Sequence, residues 1–367
     1  MNIHFYKPTD LTDTALDRLE FENLTRRRFI TAAGGLIGAA ALGACGAPGE
    51  QAAVPTSAPT ATVAATTKTV ESAKGPVNIP VNPQRVVALA DLVNGYMLAS
   101  LGYDKLVAVG AGSDANSTSR MEAFGPVPAT VPKADIGMWT EPNLEAIAAL
   151  KPDLILGTDF NHEAIYDQLT QIAPTLLVAS DISFDDKQPF TGQRFLAQVL
   201  GIEAALDKRL NEYKARLEEV KARIGTKLQG VKYTWIDVYG DTDVYVIRNA
   251  VAPGSLVLTD LGAFRSPTTD QQTFGEETVP QISIEQIPSV DADVIFVGYG
   301  VEQDANAGNI SALGGILAAT TAGNADQVFR IRYEAWGFPV VEGLFVALSD
   351  LETLFADKEI TRSGTFD

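Results

Sequence analysis

Two stretches 140 residues apart are variants of one unit: NLEAIAALKPDLIL, Asn143 to Leu156, and SIEQIPSVDADVIF, Ser283 to Phe296. Laid over each other, Glu145 falls on Glu285, Ile147 on Ile287, Leu150 on Val290, Asp153 on Asp293 and Ile155 on Ile295. In each copy a helix beginning near Asn143 or Ser283 runs into a turn and then into a core strand. One αβ unit used twice constrains the chain to two similarly built halves, and 367 residues suffice for two cores.

The segments around the echo agree with that reading. Arg85 to Ala90, Leu106 to Ala111, Asp153 to Gly157 and Thr175 to Ala179 are short apolar runs, and helical spacing fills Asp91–Leu101, Leu144–Lys151 and Glu163–Ile172 between them. The far half repeats this with strands expected at Tyr233–Val238, Val244–Ile247, Asp293–Gly298 and Gln327–Ile331, and a closing helix near Pro339–Phe355. Strand and helix in alternation predict an α/β protein with mostly parallel sheets wrapped by helices.

Between the halves, residues 203–228 carry Leu206, Leu210, Tyr213, Leu217, Val220 and Ile224 at steps of 4, 3, 4, 3, 4. That is the stripe of one helix lying on a surface, about 39 Å long at 1.5 Å per residue. A coiled-coil dimer seam would use the same stripe, but three heptads make a short seam, so a strut between lobes is the expectation.

The N-terminal segment LTRRRFITAAGGLIGAAALGAC has Arg26, Arg27 and Arg28 ahead of a Gly/Ala-rich apolar run that stops short of a bilayer span. It reads as a signal peptide. Leu42-Gly43-Ala44-Cys45 resembles a bacterial lipobox, which makes Cys45 the lipidation site, and Thr25–Ile30 resembles the twin-arginine export motif, with general export as the other route. Residues 46–74, rich in Ala, Thr and Pro, cannot bury a core and read as a disordered stalk. The expected organisation is therefore signal peptide with lipobox 1–45, stalk 46–74, N-terminal lobe 75–202, connecting helix 203–228 and C-terminal lobe 229–367. A lone cysteine excludes an intramolecular disulfide. Five basic and five acidic side chains precede residue 46, so the mature chain keeps the net charge of -18, which argues against nucleic acid as a partner.

Signal, lipobox, stalk, lobe, long helix and second lobe together resemble the substrate-binding lipoproteins of bacterial ABC importers for ferric siderophores and cobalamin. The likeness is carried by PQRVVALADLVNGYMLASLGYDKLVAVG, DIGMWTEPNLEAIAALKPDLILG, ISIEQIPSVDADVIFVG and VFRIRYEAWGFPVVEGLFVALSDL. The resemblance implies two Rossmann-like lobes with a shallow ligand cleft between them, a monomer held by lipid on the extracytoplasmic face, and an ABC permease as partner. It also implies that Glu145 and Glu285, one per lobe, meet permease arginines; an acid in a first helical turn is equally accounted for by the positive helix end.

For the cleft, the resemblance points to Trp139, where relatives often place an Arg, and to Trp336, with Arg332 and Tyr333 beside it in sequence. A ferric siderophore is commonly anionic, so a protein of this charge needs local cations; Arg248 and Arg265 stand in loop positions, with Arg120 a weaker choice, and guanidinium forks suit carboxylate or catecholate oxygens. Phe160 and Tyr299, each just past a core strand, are expected in the apolar wall. Haem or cobalamin is the alternative ligand, with Tyr299, Tyr333 or His162 as axial haem ligands, and a scaffold lipoprotein without ligand is the third reading.

Enzymatic readings find little support. Gly110-Ala111-Gly112-Ser113-Asp114-Ala115 formally satisfies GxGxxA, but NSTSRMEAFGP after it has no apolar helical stripe. One histidine, His162, remains after processing, so triads lack parts and a protein-held zinc or manganese lacks imidazoles. His162 itself reads as a solvated residue at a helix start. No cofactor is expected, and iron is expected to arrive inside its chelator.

Overall fold

The computed structural model describes residues 66–112, 119–239, 243–300 and 310–364. The signal segment, Cys45, most of the stalk and the last three residues of the GxGxxA stretch lie outside the described residues. Described structure opens with an antiparallel hairpin, β1 (Thr67–Ser72) and β2 (Gly75–Pro80), reversed at Gly75 with φ 91°. Ile79 is fully buried, and the Ala73 N–H donates to the Leu177 carbonyl at 2.9 Å. Thr67–Ser72, assigned above to the stalk, are thus paired strand. TKTVES buries only Val70, too weak a pattern to stand out from a Thr-rich linker.

The N-terminal lobe is built on β3 (Val86–Ala88), β4 (Leu106–Val109), β7 (Leu154–Thr158) and β8 (Thr175–Val178), all parallel in the order β4-β3-β7-β8. A two-residue ladder, β5 (Gly137–Met138) with β6 (Glu141–Pro142), leads into helix α1 (Leu144–Ala149). Every residue of β7 is buried, as a parallel strand covered on both faces requires.

Three helices follow in sequence order: α2 (Thr191–Leu200), the connecting helix α3 (Glu203–Leu228) and, in the C-terminal lobe, α4 (Pro253–Asp260). The second sheet comprises β9 (Lys232–Tyr239), β10 (Asp243–Val246), β11 (Phe264–Arg265), β12 (Gln281–Ile282), β13 (Val294–Tyr299) and β14 (Val328–Arg332). Its order is β12-β10-β9-β13-β14, with β11 beside β9. Helices α5 (Tyr333–Gly337) and α6 (Glu342–Phe355) close the chain. The halves are less alike than the echo suggests, because β10 runs antiparallel to β9 and β12.

Why the echo exists is visible in its matched members. Asp153 accepts the N–H groups of Gln84 and Arg85 at 2.7 and 2.9 Å, just ahead of β3; Asp293 accepts that of Lys232, the first residue of β9, at 2.9 Å. Each aspartate pins the start of the strand that pairs in parallel with its own. Ile147 and Ile155 lie in one apolar cluster on the N-terminal sheet, and Ile287 and Ile295 in its counterpart on the C-terminal sheet. The copies differ in their helices. Asn143 caps α1 by accepting from the Ala146 N–H, whereas Ile284–Val290 is a 3-10 helix under a Ser283/Gln286 capping box. Pro288 inside it has no N–H to bond back to Ile284, and this disfavours an α-turn.

All six residues of the long apolar stripe are buried along α3. The stripe faces the chain's own lobes. Arg209 pairs with Glu342 on α6, Arg216 and Arg223 with Glu352, and the Tyr213 hydroxyl donates to Asp260 at 2.8 Å. Near the N-terminus of α3, Arg194 on α2 reaches Asp207 at 3.5 Å. One buried cluster runs from Leu154 of the first lobe through Leu217 to Phe296 of the second. Gln193 on α2 adds a polar tie: its amide nitrogen donates to the Met97 carbonyl at 2.9 Å, and its oxygen accepts from the Val341 N–H at 2.8 Å.

Candidate functional site

Loops that leave the carboxyl ends of the parallel strands face each other across the seam between lobes, where α/β sheets ordinarily bind ligands. On the N-terminal side Trp139 sits at the turn between β5 and β6, its N–H donating to the Ala111 carbonyl at 2.9 Å. The turn requires Gly137, whose φ is 81° and where a Cβ would lie 2.7 Å from the Glu141 carbonyl oxygen. Phe160 follows β7 and Phe184 follows β8. Asp159 ties those two strand ends together, accepting from the Phe160 N–H at 2.7 Å and from both the N–H and the hydroxyl of Ser180.

These rings form a row that crosses the seam. Trp139 packs edge-on to Phe160 at 6.3 Å, Phe160 meets Phe184 at 5.6 Å, Phe184 meets Phe338 of the other lobe at 6.2 Å, and Phe338 meets Tyr333 at 5.5 Å. Phe160 and Phe184 are 45% and 41% exposed, a large apolar surface for water to hold uncovered. Arg120 stands between the two sides, 5.3 Å from the Trp139 ring and 5.2 Å from that of Phe338, with Nη1 3.1 Å from buried Asp91. Two ring faces and one carboxylate hold this guanidinium.

On the C-terminal side a pocket of about 360 Å³ is lined by Asp237, Tyr245, Ile247, Asn249, Tyr333 and Gly337, among others. Asp237, at the end of β9, is 2% exposed and accepts from the Trp235 indole N–H at 2.7 Å. Burial pushes its carboxyl up to about 7; the indole donor opposes this and the nearby charge of Glu334 adds to it.

His162 holds the row from behind. It is fully buried, which corrects the solvated position expected above. Its Nδ1 accepts the Thr158 N–H at 3.0 Å, so the ring proton must lie on Nε2, which donates to the Trp139 carbonyl at 2.9 Å. Burial lowers its pKa despite the opposing bonds to the Trp139 and Thr158 backbone. A lowered folded pKa makes the unfolded chain take up a proton first as pH falls below about 6.5. The stability this ring confers is therefore present above that pH and lost below it. Urea midpoints compared between pH 7.5 and 5 are expected to show a smaller acid loss in His162→Gln than in the parent; equal losses would rule the effect out.

Several expected ligand residues are engaged elsewhere. Trp336 is fully buried, stacked against Trp235 and Phe296 at 5.8 and 5.1 Å, with its indole donating to Asp350 at 3.0 Å, because α5 lies on the sheet and turns this ring inward. Arg248 gives its nitrogens to the carbonyls of Thr269, Glu277 and Gly275, and Arg265 donates to the carbonyl of Arg248. Arg332 pairs with Asp350 at 3.0 Å. Tyr299 lies under the Arg330 guanidinium at 4.0 Å, outside both the row and the pocket lining. Trp139, Phe160 and Tyr333 do converge on the seam. Phe184, Phe338 and Asp237 were missed: isolated aromatics in loops carry no periodic signal, and an acid inside a strand pattern looks like its solvent face.

Among the described residues no cluster of His, Cys, Asp or Glu could hold a metal, and no helix is long and apolar enough to cross a membrane. Glu145 and Glu285 are both exposed in the first turns of their helices.

Comparison with known proteins gives four findings. A family model described as "Periplasmic binding protein" matches residues 87–335. The "Probable siderophore-binding lipoprotein YfiY" of Bacillus subtilis is 30% identical over 303 residues, 79% of this chain and 88% of that one. Among solved structures, Staphylococcus aureus SirA complexed with staphyloferrin B has a TM-score of 0.59 at 24% identity, covering 78% of this chain and 97% of that one. A periplasmic binding protein component of a Fep/Fec-like ferrichrome ABC transporter from Bacillus subtilis has a TM-score of 0.60 at 20% identity, covering 79% and 100%. The two structures show a shared fold.

Proposed function

This chain belongs to the periplasmic binding protein family, and from that premise we propose that it captures a ferric siderophore outside the cytoplasmic membrane and delivers it to an ABC permease. As a member of a family of substrate-binding proteins it is a binder and not an enzyme, and the iron chelate is its cargo, with no resident cofactor. The observation that carries the reading is the aromatic row from Trp139 to Tyr333, contributed by both lobes and left partly open to solvent. A ligand there would cover Phe160 and Phe184 and bring the lobes onto one surface. The siderophore-binding name of the 30% identical relative supports the same ligand class.

Around that site the remaining assignments follow as one device. Cys45 carries the lipid after signal removal, and the stalk ahead of Thr67 lets the two lobes stand off the membrane. Glu145 and Glu285, exposed on one helix per lobe, meet permease arginines. The chain acts as a monomer, since the α3 stripe that could form a seam is covered by its own lobes. Haem remains the second ligand class, but His162 cannot serve as its axial ligand while both ring nitrogens are bonded.

Titrating the purified mature protein with a ferric trihydroxamate, a ferric catecholate, ferric citrate, haem and cobalamin tests this. A ferric chelate is expected to bind, with Trp139→Ala weakening it at least about tenfold, the equivalent of roughly 1.4 kcal/mol. Binding of haem or cobalamin alone would replace the ligand, and binding of nothing would remove the transport reading. Glu145→Arg and Glu285→Arg are expected to keep that affinity and lose uptake in cells; unchanged uptake rejects the docking role.

A further inference from the structure

We propose that the pocket at the end of β9 is a subsite for a protonated amine on the ligand, so that the selected chelate is neutral or cationic and not a polycarboxylate. The proposal rests on the ferric siderophore reading and narrows its ligand class.

Charge is the first argument. An anionic chelate needs cations aimed at it, yet Arg332 is ion-paired with Asp350, and Arg248 turns its three nitrogens and Arg265 its Nη1 to backbone carbonyls of the chain itself. Arg120, which does reach the seam, is already paired with Asp91. The pocket offers the opposite sign. Asp237 is 2% exposed, and its bond from the Trp235 indole occupies Oδ1 alone. Glu334, 3% exposed on α5, adds a second buried acid whose charge is felt at Asp237. A carboxylate or catecholate entering here would meet one desolvated acid with the field of a second behind it, whereas an ammonium would supply a donor to the Asp237 carboxylate.

Shape is the second. Gly298, paired with Asp237 across the sheet, leaves the room that the carboxylate occupies, since a Cβ there would sit 1.8 Å from Oδ1. Tyr245 on β10 and Tyr333 on α5 supply aromatic walls for an alkyl arm, and Asn249 a polar edge. Tyr333 also belongs to the aromatic row, so a chelate resting on that row can extend an arm into the pocket. The charged group that acts on Asp237 is Glu334, and Tyr245 and Tyr333 are the other ionisable side chains lining the pocket.

The test uses the ferric complex of desferrioxamine B, a trihydroxamate ending in a free amine, its N-acetylated form, ferric citrate and a ferric catecholate. The amine form is expected to bind at least about tenfold tighter than the acetylated one at pH 8. That ratio should shrink at pH 6, where Asp237 is protonated, and fall to about threefold or less in Asp237→Asn, whose fold is checked by its melting curve. Equal affinity of the two trihydroxamates, a preference for citrate, or an undiminished ratio in the Asn variant overturns the subsite. Tight binding of citrate or the catecholate with no trihydroxamate binding would sink the subsite and leave siderophore capture standing. Binding of no ferric chelate would sink both.

Discussion

Replacing Asp237 by Asn is expected to stabilise the protein at pH 8 by on the order of 3 kcal/mol, an effect that fades as the pH falls to 4. The sign follows from the direction of the shift. Burial raises the folded carboxyl from 3.8 to about 7, so between those values the native state holds a proton that the unfolded chain has released. The parent's stability therefore declines as pH rises through that window, and above it the full cost of a buried, unneutralised carboxylate is present. Asn keeps the shape and an acceptor for the Trp235 indole but cannot ionise. Chemical denaturation of parent and variant at pH 4 and pH 8 measures the difference. A gain of the same size at both values, or a loss at pH 8, would mean that the carboxyl is not desolvated as its surroundings imply. A residue that costs stability at neutral pH while lining a pocket fits a role in binding better than one in folding.

Gln193→Leu is expected to cost about 1–3 kcal/mol, because it strands the Val341 N–H in the buried seam between lobes and leaves the Met97 carbonyl with only the Ser100 hydroxyl as side-chain donor. The orphaned N–H contributes its desolvation penalty, and Leu approximates the volume, so little of the loss is cavity. Gln193→Glu keeps an acceptor for Val341 but sets a buried carboxyl oxygen against the Met97 carbonyl, and is expected to destabilise as well, more at pH 8 than at pH 5, because the charged form has no partner there. Urea unfolding gives the magnitude. Small-angle scattering of the free protein should show a larger radius of gyration in the Leu variant, since this amide ties α2 to the start of α6. A loss below about 1 kcal/mol with unchanged scattering would reduce Gln193 to filler.

The two variants act on different links. Asp237 concerns what the cleft accepts, and Gln193 concerns how far the lobes can part. With α3 packed along the second lobe and the core continuous through it, a wide hinge motion would have to break buried contacts as well as this bond. The observed geometry therefore favours recognition by a largely preformed site.

Much of the scaffold was legible in the residues. Periodicity alone placed α3, because Leu206 to Ile224 step at helical spacing, and short apolar runs after helix-start signals placed β7 and β13. The echoed aspartates were legible as a repeat but not as strand-start clamps, since their partners lie about 60 to 70 residues away. Shorter separations, of 17 to 29 residues, hid the arginines' true bonds: Arg248 looks like a loop cation until the carbonyls of Thr269, Gly275 and Glu277 are folded against it, and Arg265 until it meets the Arg248 carbonyl. Trp336 was misread for a related reason, as an aromatic at a helix start can turn to the sheet or to the cleft with the same local pattern.

By itself the sequence determined the elements and their duplication, because hydrophobic period, capping and turn chemistry act over a few residues. It also determined the family, through motifs that lie within single αβ units. Only the tertiary structure decided which side chains meet at the seam and which charges remain unspent. Hydrogen bonds, ring contacts and desolvation depend on partners tens to hundreds of residues apart, and a carboxyl such as that of Asp237 acquires its character from what the fold removes around it, namely water.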